Sequence, residues 1–262
     1  MKIAISGKGG VGKTTLSAMI AAALSLQGRN VVAIDADPDA NLAAALGLPP
    51  EKHPVCLAEM RDLIAERTGA KDAYGGYFKL NPQVDDLPDQ YAVRIGSIRL
   101  MSVGGVTRGG GGCICPATAL VKALLTYLVL GSDDAVVMDM EAGIEHLGRA
   151  VTQSMDALLV VIDEGSWSVQ TARRVRALAA DIGLHDVRAV VNRVSATTNL
   201  EPLRSALEGI PVVATVPYDS RLREPIVTID DHQVLQPTEV LRGLLPRIDG
   251  LLEVVRCRRG KG

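Results

Sequence analysis

Gly7-Lys8-Gly9-Gly10-Val11-Gly12-Lys13-Thr14-Thr15 follows the short apolar run Met1-Lys2-Ile3-Ala4-Ile5 and precedes the helix-forming stretch Thr14 to Ser25. It satisfies the Gly-x-x-x-x-Gly-Lys-[Ser/Thr] pattern of a phosphate-binding loop set between a strand and a helix. Successive backbone N–H groups and a helix N-terminus can then surround a polyphosphate. On this reading Gly9, Gly10, Val11, Gly12, Lys13, Thr14 and Thr15 line the nucleotide, with Lys13 on the terminal phosphates and Thr14 on a magnesium ion.

Working outward, further apolar, β-branched runs recur at Val31–Ile34, Ile98–Val103, Ala135–Met138, Ala157–Ile162, Val187–Val191 and Val212–Val216. With the first strand they make about seven strands. Helical stretches alternate with them, including Ala36 to Leu46, Pro116–Leu130, Val169–Ala180 and Leu200–Leu207. That alternation predicts one α/β domain over residues 1–262, with a mainly parallel sheet flanked by helices. Right-handed crossovers place the ligand loops at the carboxyl ends of the strands. Leu57–Gln90 is the least regular region; Met60–Glu66 reads as helix, and Gly69–Asn81 and Pro82–Asp89 as loops. Leu241–Val255 reads as a helix broken near Pro246.

The chain has 262 residues, of which 47% are hydrophobic and only 3% aromatic, so its core is expected from aliphatic side chains. A formal net charge of -2 offers no global attraction for nucleic acid or anionic membrane, and neither is expected as a partner. No apolar run reaches a membrane-spanning length, and no early segment has the charged start and uninterrupted apolar run expected of a secretion signal. The cytoplasm is the expected compartment. Four cysteines are too few and too unevenly spaced for a disulfide scaffold. Cys56 reads as a small buried hydrophobe and Cys257 as incidental.

Two strand ends carry the expected reaction groups. Ile34-Asp35-Ala36-Asp37-Pro38-Asp39 puts Asp37 where it can orient an attacking water, while Asp39 and Asn41 suit caps of the following helix. Val137-Met138-Asp139 ends a buried strand in a carboxylate suited to a magnesium contact opposite Thr14, directly or through water. The glycine at Gly143 would let the following backbone turn towards the γ-phosphate. Asn192-Arg193 and Pro217-Tyr218-Asp219 end two further strands on the edge where a base should lie, Asn192 offering an amide to adenine. No Asn-Lys-x-Asp tetrad is present, which favours ATP over GTP.

Lys8 is a second lysine in the loop. Burying it unpaired beside Lys13 would cost several kcal/mol unless a partner's phosphates compensate. With the other motifs, this resembles the deviant Walker A class, which includes cell-division positioning ATPases, plasmid-partition ATPases, nitrogenase iron protein and metal-cofactor maturation ATPases. The resemblance implies a homodimer across two ATP molecules, with Lys8 reaching into the partner's site. Lys13, Thr14, Asp37, Asp139 and Asn192 match the class pattern.

Gly104 to Pro116 is a glycine-rich loop carrying Cys113-Ile114-Cys115. Two thiolates leave a soft-metal site incomplete, and a symmetric pair of chains would supply four. Zinc, nickel, copper(I) and a bridging iron–sulfur cluster all remain open on these residues. The alternative is two ordinary cysteines at a helix start. Taken with Gly7–Thr15, Asp35–Asp39 and Met138-Asp139-Met140-Glu141-Ala142-Gly143-Ile144-Glu145-His146-Leu147, the pair resembles the CooC-type nickel-insertion ATPases of carbon monoxide dehydrogenase. That resemblance implies an ATP-hydrolysing metallochaperone with Mg2+ at its nucleotide. Ni2+, or Zn2+, is implied on Cys113 and Cys115, and carbon monoxide dehydrogenase as the client. A positioning ATPase acting on a membrane or DNA shares the nucleotide residues but gives Cys113 and Cys115 no task. A reductase like nitrogenase iron protein would need cluster cysteines in two loops.

Overall fold

The computed structural model describes residues 1–70, 77–104, 115–130, 134–141, 149–230 and 234–257. Their apolar runs form one eight-stranded sheet. Its strands are β1 (Lys2–Gly7), β2 (Val31–Ala36), β3 (Val93–Ile95), β4 (Ile98–Ser102), β5 (Ala135–Met140), β6 (Ala157–Ile162), β7 (Val187–Val194) and β8 (Val212–Pro217). The spatial order is β3-β4-β2-β5-β1-β6-β7-β8, and every pairing is parallel except β3 with β4. A separate antiparallel pair joins β9 (Val227–Ile229) to β10 (Leu235–Pro237).

The eighth strand, β3, was not among the seven expected. It is only three residues long, leaves Arg94 exposed and turns straight back into β4 through Gly96 at φ 55°. A short, half-solvated edge strand lacks the continuous apolar run that marks its buried neighbours.

The helices are α1 (Lys13–Leu26), α2 (Leu42–Ala45), α3 (Arg61–Thr68), α4 (Leu87–Tyr91), α5 (Pro116–Leu130), α6 (Arg149–Ser154), α7 (Ser166–Asp181), α8 (Glu201–Ala206) and α9 (Glu239–Arg256). Side chains alternate across a strand, so each strand feeds two cores. Ile3, Ile5, Ala33, Val137 and Leu159 face the layer that includes α1 and α9. Ala4, Val32, Ile34, Met138 and Val160 face the layer built on α5 and α7. Each fully buried Leu, Ile or Val contributes about 1.5–3 kcal/mol, and both layers are almost wholly aliphatic.

α2 is shorter than the helical run expected from Ala36 to Leu46. The Asp35 carboxylate accepts the Leu42 N–H at 2.9 Å, which starts the helix there and leaves 37–41 as a loop over the strand ends. α9 corrects the expectation of a break: it is continuous through Pro246. Val240, Leu241, Leu244, Ile248, Leu251, Leu252 and Val255 bury one face against the first core. That burial outweighs the missing proline N–H. α4 begins within Pro82–Asp89, which was expected to be loop, and runs past its end to Tyr91. Among the described residues, no helix is long and apolar enough to cross a membrane.

Candidate active site

Gly7 closes β1 at φ 149°, and a Cβ there would stand 2.4 Å from the Val161 carbonyl oxygen on β6. The sheet can therefore hold the loop this tightly only with glycine. Gly10 (φ 79°) and Gly12 (φ 96°) take left-handed conformations, and α1 begins at Lys13 without a side-chain cap. Val11 is buried and anchors the loop, while Lys8, Gly9 and Gly10 stay exposed. The loop, with Lys13 and Thr14, forms one wall of a cavity of about 600 Å³. Asp37, Asp39 and Asn41 beyond β2, and Glu141 beyond β5, complete it.

The charges in this cavity are arranged around Lys13. Its Nζ is buried and lies 3.8 Å from Asp37 Oδ2. Asp37 Oδ1 accepts the Asp39 N–H at 3.0 Å, and the Asp37 N–H donates to Asp35 Oδ1 at 3.2 Å. Asp35 and Asp139 are register partners on β2 and β5. Burial raises the Asp35 carboxyl to about 6, the backbone N–H groups of Leu42 and Asp37 opposing it. Burial likewise lifts Asp139 to about 7. The neighbouring Asp35 charge adds to that rise, while the Thr14 and Ser17 hydroxyls and Lys13 oppose it. Ser17 Oγ donates to Asp139 Oδ1 at 3.1 Å; Asp139 Oδ2 is buried without a hydrogen-bond partner. Glu141 is also pushed up, by desolvation and then by the Asp37 charge, and its carbonyl accepts from Ser6 Oγ at 2.9 Å.

The structure thus brings Gly9, Gly10, Gly12, Lys13, Thr14 and Asp37 to one cavity, with Asp139 fully buried beside Thr14. Thr15 is half-buried in the first turn of α1, and Lys8 is exposed at the loop tip outside the cavity lining. Asn192, at the end of β7, is buried and turned onto the loop: its Nδ2 donates to the Val11 carbonyl at 2.7 Å, and its Oδ1 accepts the Arg193 N–H at 2.9 Å. Arg193 and Tyr218 are exposed, the Tyr218 N–H donating to Val194, and Pro217 ends β8. Asp219 is clamped by Arg221 at 2.7 Å, which holds its carboxyl below the usual range.

Asp35 and Glu141 received no role from the sequence, and Asp39 and Asn41 were read as caps. The available signal for Asp35 was its place at a buried strand's end, as for Asp139. Cys115 is half-buried with Sγ 3.1 Å from Thr118 Oγ1. Cys113, most of the loop from Gly104 to Pro116, and the segment from Ala142 to Gly148 lie outside the described residues. Among the described residues no group of three or more His, Cys, Asp or Glu side chains is placed to hold a metal ion.

A parallel sheet whose first strand feeds a glycine loop and helix, with buried strand-end aspartates beside it, defines a P-loop nucleotide-hydrolysing domain. The chain belongs to the CobQ/CobB/MinD/ParA nucleotide-binding family, whose CbiA pattern matches residues 2–228. It is an ATPase of that family. The carbon monoxide dehydrogenase accessory protein CooC of Rhodospirillum rubrum is 43% identical over 225 residues, covering 85% of this chain and 86% of that protein. The MinC:MinD cell division complex of Aquifex aeolicus contains a chain with the same fold at TM-score 0.64 and 19% identity, covering 100% of this chain and 96% of the other. A plasmid partition protein from Borrelia burgdorferi matches at TM-score 0.60 and 14% identity, with 98% of each chain covered.

The last likeness overturns the expectation that nucleic acid has no part. A plasmid partition protein shares this fold, so a near-neutral net charge is no ground for excluding DNA. Net charge sums the whole surface, whereas a polyanion is bound by a local patch.

Proposed function

We propose that this ATPase is an accessory protein that uses ATP-dependent pairing of two copies to deliver nickel to carbon monoxide dehydrogenase. The observation that supports this reading is 43% identity to CooC across 85% of the chain, together with the Cys113-Ile114-Cys115 loop. Lys13 and the N–H groups of Gly9 to Thr15 bind the phosphates, and Lys8 reaches the partner copy's phosphates from its exposed position. Asp37 orients the water. Arg193, Pro217, Tyr218 and Asp219 stand at the ends of β7 and β8, where they flank the base.

The cavity fits a magnesium ion. The buried Asp139 Oδ2, near Thr14, is a hard oxygen donor without a hydrogen-bond partner. Thr14 and Asp139 would hold the ion, Asp139 directly or through water, and bound magnesium neutralises phosphate charge. Ni2+, or Zn2+ at the same thiolates, is the cargo, carried on Cys113 and Cys115 of both copies.

A second reading, a MinD/ParA-type positioning ATPase acting on a membrane or DNA, draws support from the fold likeness to MinD and to the plasmid partition protein. One experiment separates them. The protein is titrated with Ni2+ and Zn2+ while its mass is measured with ADP or a nonhydrolysable ATP analogue, and pulldowns on DNA and anionic vesicles run in parallel. The accessory reading expects one ion per pair of chains, bound more tightly with the ATP analogue and lost in Cys113→Ser/Cys115→Ser. Unchanged metal stoichiometry in that double variant, or ATP-dependent retention on DNA or vesicles without metal binding, would overturn it.

A further inference from the structure

Cys115 stands immediately before α5, and its carbonyl accepts the Ala119 N–H at 3.0 Å, the first bond of that helix. Pro116 fills the first helical position and brings no N–H. A residue at this cap position ordinarily accepts a backbone N–H of the first turn on its side chain. Cys115 Sγ instead lies 3.1 Å from the Thr118 hydroxyl. Thr118 is 6% exposed, whereas Cys115 is half-buried and free of any disulfide.

The hydroxyl is used unusually for this molecule. Thr68, Thr126 and Thr171 each donate to the carbonyl four residues back in their own helices, the common habit of helical threonine. Thr118 lies in the first turn of α5, where the residue four back precedes the helix, and its oxygen meets sulfur. While Cys115 is a thiol, either atom can donate. A metal takes cysteine as thiolate, which leaves the Thr118 O–H as the only proton in the contact. The hydroxyl then donates to a charged acceptor, the stronger kind of hydrogen bond. Such an outer partner fixes the direction of a ligating atom and draws electron density from it.

We propose that Thr118 is a positioning residue for cargo binding, its hydroxyl aiming and polarising the Cys115 thiolate that holds the metal. This deepens the accessory-protein reading and rests on it.

The test titrates the full chain with Ni2+ alone as probe, in the presence of a nonhydrolysable ATP analogue, and records the sulfur-to-nickel charge-transfer band. Thr118→Val keeps the branched shape without the hydroxyl; Thr118→Ser keeps the hydroxyl. The valine variant is expected to bind Ni2+ about tenfold more weakly, as loss of an outer-shell partner does. Its charge-transfer band should move to longer wavelength, because sulfur lone pairs rise in energy once the O–H is gone. Thr118→Ser should restore both, and affinity for the ATP analogue should stay the same throughout. A valine variant with unaltered band and affinity would overturn the proposal, whether or not its melting temperature fell. A serine variant no better than valine would overturn it too, since packing rather than the hydroxyl would then matter. If the unaltered chain bound no Ni2+, or Cys113→Ser/Cys115→Ser bound it equally well, the accessory reading itself would fall, and this inference with it.

Discussion

Two carboxylates set the chemistry and the pH response of the site. Asp35 is buried and its pKa is raised to about 6, chiefly by desolvation. An unfolded aspartate titrates near 4, so between about pH 4 and pH 6 the folded chain holds a proton that the unfolded chain has lost. The Asp35 contribution to stability without nucleotide then falls as pH rises through this window and levels off above it. The lost stability is on the order of 3 kcal/mol. Asp35→Asn keeps an acceptor for the Leu42 N–H and removes the titration. Urea unfolding from pH 4 to 7 should show the variant's stability advantage growing with pH. A constant difference across that range would refute the assignment. The same desolvation raises Asp139, whose free Oδ2 is the stronger pointer to a cation.

Among the elements, α9 is the one whose local sequence and final structure disagree most. Proline in a helix interior removes one hydrogen bond and crowds the preceding turn, costing about 3 kcal/mol against alanine. α9 nevertheless runs unbroken, because its apolar face lies on the first core and Thr238 caps its start by accepting the Leu241 N–H. Replacing Pro246 should release that local penalty, partly offset by the freer unfolded chain. Pro246→Ala is expected to raise stability by about 1–3 kcal/mol, seen as a higher urea midpoint with an unchanged slope. A lower midpoint would mean that the proline is needed for packing. α1 presents the opposite case. Its alanines and leucines favour helix, its buried face fits the sheet, and the loop before it supplies the glycines its entry requires.

At the scale of the whole molecule, Lys8 separates what one copy does from what two do. It is exposed, and it is absent from the cavity lining that Lys13 shares with Asp37. Lys8→Ala should leave stability within about 0.5 kcal/mol and keep ATP binding by single chains. It should abolish any ATP-dependent gain in mass and, with it, turnover. Full hydrolysis by a Lys8→Ala chain that never pairs would remove the case for a shared site. Much of this architecture was legible beforehand. The alternation of apolar runs with helical stretches, the strand–loop–helix order at Gly7–Thr15, and Asp37 and Asp139 at strand ends are local patterns, and backbone sterics and side-chain periodicity fix their meaning without a fold. What lay beyond reach depended on distant segments meeting. The half-solvated edge strand β3 is defined by β4 rather than by its own residues. The orphaned oxygen of Asp139 arises from burial between β1 and β2. Asn192 reads as a polar strand-end residue in any local window, and only the sheet sets it against Gly12, more than a hundred residues earlier. A sequence window carries propensity and pattern, whereas desolvation and close approach are properties of the assembled chain.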